Sequence, residues 1–255
     1  MKTSYENSSN HYDLIMKYVY KKKPEDFFEF FKFFTNKYCQ IDIINILDVG
    51  CGTGIDIIYF AENGNFNMTG LDVSESMLKK AKEKVSNLKQ DIKFINKEII
   101  QLDSNNNYDC IFSYGAFGHI LENNEIEQSL LKLHSILKRK GILILHQENI
   151  VGIAKYVSDR EINFKSSGYD YNVNLRYKVD LIKCLLIEEE QIKVFRGGKI
   201  IDEYSEYHIF RNWTYNEGIQ FLKKTGFDKI YCFSSIKDRE ELTGKEVGLI
   251  FCCIK

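Results

Sequence analysis

Three glycines at alternate positions, Gly50, Gly52 and Gly54, follow an apolar run that ends in Leu47, Asp48 and Val49. Where a buried strand turns through such glycines into a helix, the backbone can approach a ligand closely. The first helical turn then offers N–H groups that have no partner within the helix. The glycine order argues against a pyrophosphate: a dinucleotide fingerprint needs a third glycine where this chain has Ile55. Asp72 lies about 20 residues further on, at the end of the next apolar run, where a carboxylate can accept hydrogen bonds from both hydroxyls of a ribose. The pair of features predicts a holder for the adenosyl part of a nucleotide-like cofactor. No GxSxG nucleophile motif and no set of metal-ligand spacings accompanies it.

The elements that position these residues follow from hydrophobic periodicity. Ile43 to Val49 reads as a strand, Ile55 to Asn63 as a helix and Asn67 to Asp72 as a strand. Ser74 is a candidate N-cap for a helix running to about Asn87, with Met77, Leu78, Ala81 and Val85 on one face. Further strands are expected at Asp91 to Asn96, Tyr108 to Tyr114 and Gly141 to Gln147, with a helix from about Glu125 to Leu137. This alternation is that of a parallel sheet covered by helices. From Asn172 to Trp213 the period becomes two, with a Gly197-Gly198 turn, so an antiparallel insert is expected. A helix from Tyr215 to Thr225 and strands from Phe227 to Phe233 and Val247 to Cys253 complete the pattern. Lys22 to Tyr38, dense in phenylalanine, reads as a helix buried on the sheet.

Composition limits the partners. With 44% hydrophobic residues, 28% charged residues and a formal net charge of -1, the chain has no excess basicity for a phosphate backbone, so nucleic acid is not expected as a partner. Seven scattered cysteines without a CxxC pair read as reduced core residues, and no apolar run reaches the length of a membrane span. The expectation is a soluble cytoplasmic protein, with a homodimer as an open option.

The order LDVGCGTG, TGLDVSESML, KEIIQL, YDCIFSYGAFGHI and LLKLHSILKRKGILIL resembles the class I S-adenosylmethionine-dependent methyltransferases, from about Leu47 to Gln147 and again in WTYNEGIQFLKKTGF and the closing strand. The resemblance implies an α/β Rossmann-like doubly wound sheet, mostly parallel with an antiparallel final strand, with the antiparallel β insert acting as a lid. It divides the chain into a helical cap (1–40), a cofactor-binding core (41–147), a substrate-facing insert (148–212) and a C-terminal part of the core (213–255). It implies S-adenosyl-L-methionine as cofactor. Gly50, Cys51 and Gly52 would run past its methionine part, with Asp48 fixing the loop and Gly54 completing the cofactor-binding turn. Asp72 would take the ribose, Val73 and Met77 the adenine face, Glu98 and Ile99 the adenine edge, and Ser113 would face the methionine moiety. Within the family, HYDLIMKY, Gly118-His119 and EYHIFRNWT are similar to amino-sugar N-methyltransferases.

That resemblance directs attention to an acceptor. His119 is a candidate to accept or relay the proton of an amine, or else a packing residue at a helix start. Tyr12 would orient the amine, or else is a surface aromatic. His208 and Arg211 on the insert would contact a small-molecule acceptor, a solvated face being the equal alternative. His11, His134 and His146 read as structural, Trp213 as an anchor for the insert, and Glu188-Glu189-Glu190 as a solvated turn. The expected function is methylation of a small-molecule amine such as an amino sugar. The alternatives are O-methylation of a hydroxyl and a non-catalytic cofactor-binding scaffold.

Overall fold

The computed structural model describes residues 8–255 except 87, 89, 105, 106, 238, 240, 241 and 243–245. Two short helices open the chain, α1 (Tyr12–Tyr18) and α2 (Pro24–Tyr38). Pro24 starts α2, where its missing N–H costs nothing. Phe27, Phe28, Phe30, Phe31 and Phe34 are buried against the sheet, as expected of this stretch. Each contributes roughly 1.5–3 kcal/mol by leaving water.

The core then alternates: β1 (Asn45–Val49), α3 (Ile55–Asn63), β2 (Asn67–Asp72), α4 (Glu75–Val85), β3 (Lys93–Asn96), β4 (Tyr108–Tyr114), α5 (Asn123–Ile136) and β5 (Leu137–Glu148). Ser74 does cap α4, its hydroxyl accepting from the Met77 N–H at 3.3 Å; the expected end of that helix at residue 87 lies outside the described residues. A second run follows: α6 (Ile150–Tyr156), β6 (Arg160–Ser166), β7 (Tyr169–Asp180), β8 (Leu185–Arg196), β9 (Lys199–Arg211), α7 (Tyr215–Lys224), β10 (Lys229–Phe233) and β11 (Gly248–Ile254).

Seven strands form one sheet in the order β10-β11-β5-β4-β1-β2-β3, with β1 parallel to β2 and β4, and β11 antiparallel to β5 and β10. This is the mostly parallel sheet with an antiparallel final strand that the sequence led one to expect. The strand order reverses between β1 and β4, which places a crevice at the C-terminal end of β1, directly beyond Val49. The second sheet, β6-β7-β8-β9, is wholly antiparallel, with β8 and β9 joined through Gly197 and Gly198. Its inner face packs Tyr171, Val173, Leu175, Ile192 and Val194 on Ile15 and Val19 of the α1 region.

Several limits differ from the sequence reading. β5 begins at Leu137 rather than Gly141: pairing with β4 starts at Leu137, and the strand continues past Lys140, whose φ of 64° is left-handed, with a register shift against β4. The antiparallel sheet begins at Arg160 rather than Asn172: β6 is an edge strand with no fully buried residue, only Ile162 and Phe164 packing inward. Most consequentially, Glu188-Glu189-Glu190 is the middle of a twelve-residue strand, not a turn. Glu188 and Glu190 point inward and are buried, while Glu189 points to the other face.

Candidate active site

A cavity of about 1600 Å³ opens at the end of β1, between the core sheet, α1 and the second sheet. It exceeds the roughly 300–1,000 Å³ typical of a single small ligand, so it has room for a cofactor and an acceptor together. One wall is made by backbone. Gly50, Gly52 and Gly54 have φ of 73°, 53° and 80°, a region that favours glycine. A Cβ on Gly50 would stand 2.1 Å from the Ala116 Cβ, so β1 and the turn after β4 meet here only because the side chain is missing. The N–H groups of Gly50 and Cys51 both donate to the Leu71 carbonyl, at 2.7 and 3.1 Å, which pins the loop to the end of β2. Asp72 completes the clasp: one carboxylate oxygen accepts from the Gly52 N–H and the other from the Ser74 N–H, both at 2.8 Å. Burial raises its pKa, and the N–H donors of Ser74, Gly52 and Val73 oppose that. Val73, Met77, Glu98 and Ile99 continue the wall. The Glu98 N–H donates to Gln101 Oε1 at 3.0 Å, holding the turn that carries this edge. These groups fit an adenosyl ligand: a cradle that a Cβ would fill, an oriented carboxylate at ribose distance in sequence, and an apolar slot.

α1 closes this wall from above. The Tyr12 ring would lie 3.8 Å from a Cβ on Gly52. Next to it, Thr53 Oγ1 donates to Asp13 Oδ1 at 2.5 Å, and Lys84 bridges Asp13 Oδ2 and the Thr53 carbonyl. Burial pushes the Tyr12 hydroxyl up to about 12, so it stays protonated and can donate.

The opposite wall is made by side chains. His119 ends the short turn after β4, with its ring 4.8 Å from Phe210 and 6.4 Å from His208. Burial holds His119 and His208 at about 4, with His208 adding to the effect on His119. Both imidazoles are therefore neutral at pH 7. Around them stand Glu148, Glu188 and Glu190. Tyr20 donates to Glu188 Oε1 at 2.7 Å. Burial raises all three carboxyls, Glu148 to about 7 and Glu190 to about 8, with Glu188 adding to both and Glu206 to the latter.

Comparison with known proteins gives the cofactor wall its meaning. Residues 46–141, the stretch holding the glycine loop, Asp72 and the turn after β4, match the methyltransferase domain family. A Geobacillus sp. (strain WCH70) protein that bears a methyltransferase name is 28% identical, covering 87% of this chain and 91% of its own. The chain belongs to the class I S-adenosylmethionine-dependent methyltransferases. The fold agrees across the whole methyltransferase. An S-adenosylmethionine-dependent methyltransferase from Clostridium acetobutylicum superposes with TM-score 0.81 at 15% identity, over 97% of this chain and 98% of that one. An amino pentose methyltransferase from Micromonospora echinaspora, solved with S-adenosylmethionine bound, gives 0.72 at 18% identity, over 92% of each. The cofactor of the methyltransferase is S-adenosylmethionine.

Gly50, Gly52, Asp72, Val73, Met77, Glu98, Ile99, Tyr12, His119 and His208 all reach the cavity of the methyltransferase. Asp48, Cys51, Gly54 and Ser113 lie behind the wall, not on it. The Ser113 hydroxyl donates to the Val49 carbonyl at 3.0 Å and ties β4 to β1; Tyr114, Gly115 and Ala116 face the crevice where Ser113 was expected. The Cys51 side chain turns toward Gly70. Arg211 is not an acceptor contact: its guanidinium is paired with Glu217 and donates to the Asn212 carbonyl, holding the end of β9 to α7. Arg211 stands three positions after His208, an odd offset that sends the two to opposite faces of a strand. Trp213 is fully buried among Phe117, Phe221 and Phe251, the anchor it was read as. His134 also has the structural place foreseen, edge-on to Phe227.

The sequence reading missed Tyr20, His146, Glu148, Glu188 and Glu190 as cavity residues. His146, read as structural, stacks on Tyr114 at 4.5 Å inside the cavity. The two-residue alternation through Leu186, Glu188 and Glu190 was the available signal for the lid carboxylates. The fold also brings Glu190, Glu206 and His208 together, with one ligand atom of each within 4.8 Å of the others, a convergence that no sequence spacing displays.

Proposed function

We propose that this methyltransferase methylates the nitrogen of a small-molecule amine, such as an amino sugar, and works in the cytoplasm. The observation that carries the reading is the chemistry of the acceptor wall: two neutral imidazoles among buried carboxylates. S-adenosylmethionine, when bound, supplies a methyl group on a sulfonium that is already activated, so the protein has mainly to present a lone pair in line and exclude water. An amine needs only to lose the proton of its ammonium form. Glu148, raised to about 7, is matched to take that proton near neutrality. A hydroxyl would need a far stronger base than an imidazole held at about 4. His119 therefore serves as a hydrogen-bond acceptor that orients the amine, with the Tyr12 hydroxyl as a donor on the other side. Placement of this kind is worth roughly 7–11 kcal/mol when the reacting atoms are well aligned.

Asp72 is the ribose ligand in this reading, Val73, Met77 and Ile99 enclose the adenine, and Glu98 takes its amino group. The fold shared with an amino pentose methyltransferase supports an amine acceptor. The test is a screen of amines, amino sugars with and without a nucleotide, and matched alcohols, read by release of S-adenosylhomocysteine. Turnover with amines is expected. Turnover confined to alcohols would overturn the proposal.

A further inference from the structure

The inner face of the lid carries a charge pattern that its own stability does not explain. In the β8–β9 pairing Glu190 lies directly opposite Glu206, and one row away Glu188 lies opposite His208. Like charges facing each other across a sheet are destabilising, and burial makes this worse. All four residues are buried, Glu190 at 3% exposure and Glu206 at 4%. Glu188 is relieved in part by the Tyr20 hydroxyl and by the charge of Arg160. Among the described residues Glu190 takes part in no side-chain hydrogen bond or ion pair, and it faces the cavity. A buried carboxyl is ordinarily paired with an opposite charge or kept protonated, and this one has open cavity in front of it. Beside it on the same wall the rings of Tyr20 and Tyr177 already face one cation, the Arg160 guanidinium, 6.0 Å from each centroid.

We propose that the acceptor of this methyltransferase is a compact dication: one amine is methylated beside His119, and a second ammonium sits on the Glu188–Glu190 face of the lid, backed by Glu206. This rests on the N-methylation reading above. The separation follows from the strand. His208 marks the reacting end through its contact with His119, and the Glu190–Glu206 row is two residues along, roughly 7 Å. An acceptor joined to a nucleoside diphosphate would instead bring negative charge toward these carboxylates. A divalent metal ion on Glu190, Glu206 and His208 is the competing occupant. The ammonium is favoured because Glu188, Glu190 and His208 open on the same cavity as His119, so one extended ligand can meet both ends.

The test is calorimetric binding to the full chain saturated with S-adenosylhomocysteine, comparing 1,5-diaminopentane with 1-aminopentane, followed by product release with each. The diamine is expected to bind at least tenfold tighter. At pH 7 its binding should expel a proton, seen as a heat that depends on the buffer. Glu190→Gln and Glu206→Gln should each collapse the preference to within about twofold, whereas Glu189→Gln, on the outer face, should keep it. Equal binding of the two amines, or a nucleotide-linked amino sugar binding more tightly than the diamine, would overturn the proposal. So would Mn²⁺ or Zn²⁺ binding that is lost in Glu190→Gln and excludes the diamine. A diamine that binds as predicted but is never methylated, while alcohols are, would leave the cation site standing and remove the N-methylation reading.

Discussion

The two walls of the cavity are built on opposite principles. The cofactor wall is backbone: three glycines, carbonyls and N–H groups whose positions are fixed by the ends of β1 and β2, with one carboxylate, Asp72, satisfied by two N–H donors. The acceptor wall is side chains on long antiparallel strands, with neutral histidines and carboxylates that burial keeps far from their ordinary behaviour. The first is a settled structure that receives a ligand of fixed shape. The second holds buried groups whose protonation depends on what comes to face them, and so is defined by what it receives.

Breaking the cofactor wall should have the largest effect. Asp72→Ala removes the clasp on Gly52 and Ser74 together with the ribose ligand. Hydrogen bonds to charged groups contribute about 1.5–3 kcal/mol each, so S-adenosylhomocysteine should bind about a hundredfold more weakly by calorimetry. Gly50→Ala comes next. Its Cβ would collide with Ala116, and overpacking of this kind costs roughly 1–3 kcal/mol, so both cofactor affinity and melting temperature should fall. If Gly50→Ala bound the cofactor normally, the close approach of loop and turn would have no part in the site.

Changes on the acceptor wall should be smaller and should spare the cofactor. His119→Ala is expected to lower kcat by about tenfold, below the roughly hundredfold or more of general acid–base catalysis, because its imidazole orients and does not deprotonate. Cofactor affinity should stay within about twofold by calorimetry, an interaction made with acceptor alone. Equal turnover in this variant would remove His119 from the mechanism.

The smallest effect separates the walls by pH. His119, His146 and His208 fall from 6.5 to about 4 on folding, so their penalty appears only below about pH 6.5. Glu148 and Glu190 rise from 4.5 to about 7 and about 8, so the folded state holds protons that the unfolded chain has released. Stability must then fall as pH rises from about 6.5 to about 8. The titratable groups around Glu190 are Glu188 and Glu206, which with burial raise it, and His208, Tyr20 and Tyr204. Melting curves should drop by a few degrees over this window, and Glu190→Gln should flatten the drop. A flat profile in the unmodified protein would mean that the lid carboxylates ionise freely.

The same contrast governs what could be read from the chain. The cofactor wall is contiguous: LDVGCGTG states strand, turn and helix start in eight residues, and Asp72 ends the next strand, so local rules suffice. The lid depends on register between strands of twelve and thirteen residues. A run of three glutamates carries no local hint that its first and third members are buried while the second faces away. Pairing of Glu190 with Glu206 is set by the turn at Gly197-Gly198 and a register shift near Val194, which sequence alone does not reveal. His119 and Tyr12 were singled out through the resemblance, in Gly118-His119 and HYDLIMKY, and not by local rules; the fold brings both to the cavity. Arg211 was misread because its partner Glu217 lies beyond the end of the strand, on α7. Ser113 was misread because a strand-end hydroxyl can turn to the neighbouring strand as readily as to the crevice.

Methyl transfer to nitrogen is open to one direct measurement. An amino alcohol acceptor offers both nucleophiles in a single molecule. With a donor labelled by ¹³C in its methyl group, the carbon spectrum of the product identifies the atom that received it. Label attached to nitrogen alone is the predicted result. Label attached to oxygen would contradict it.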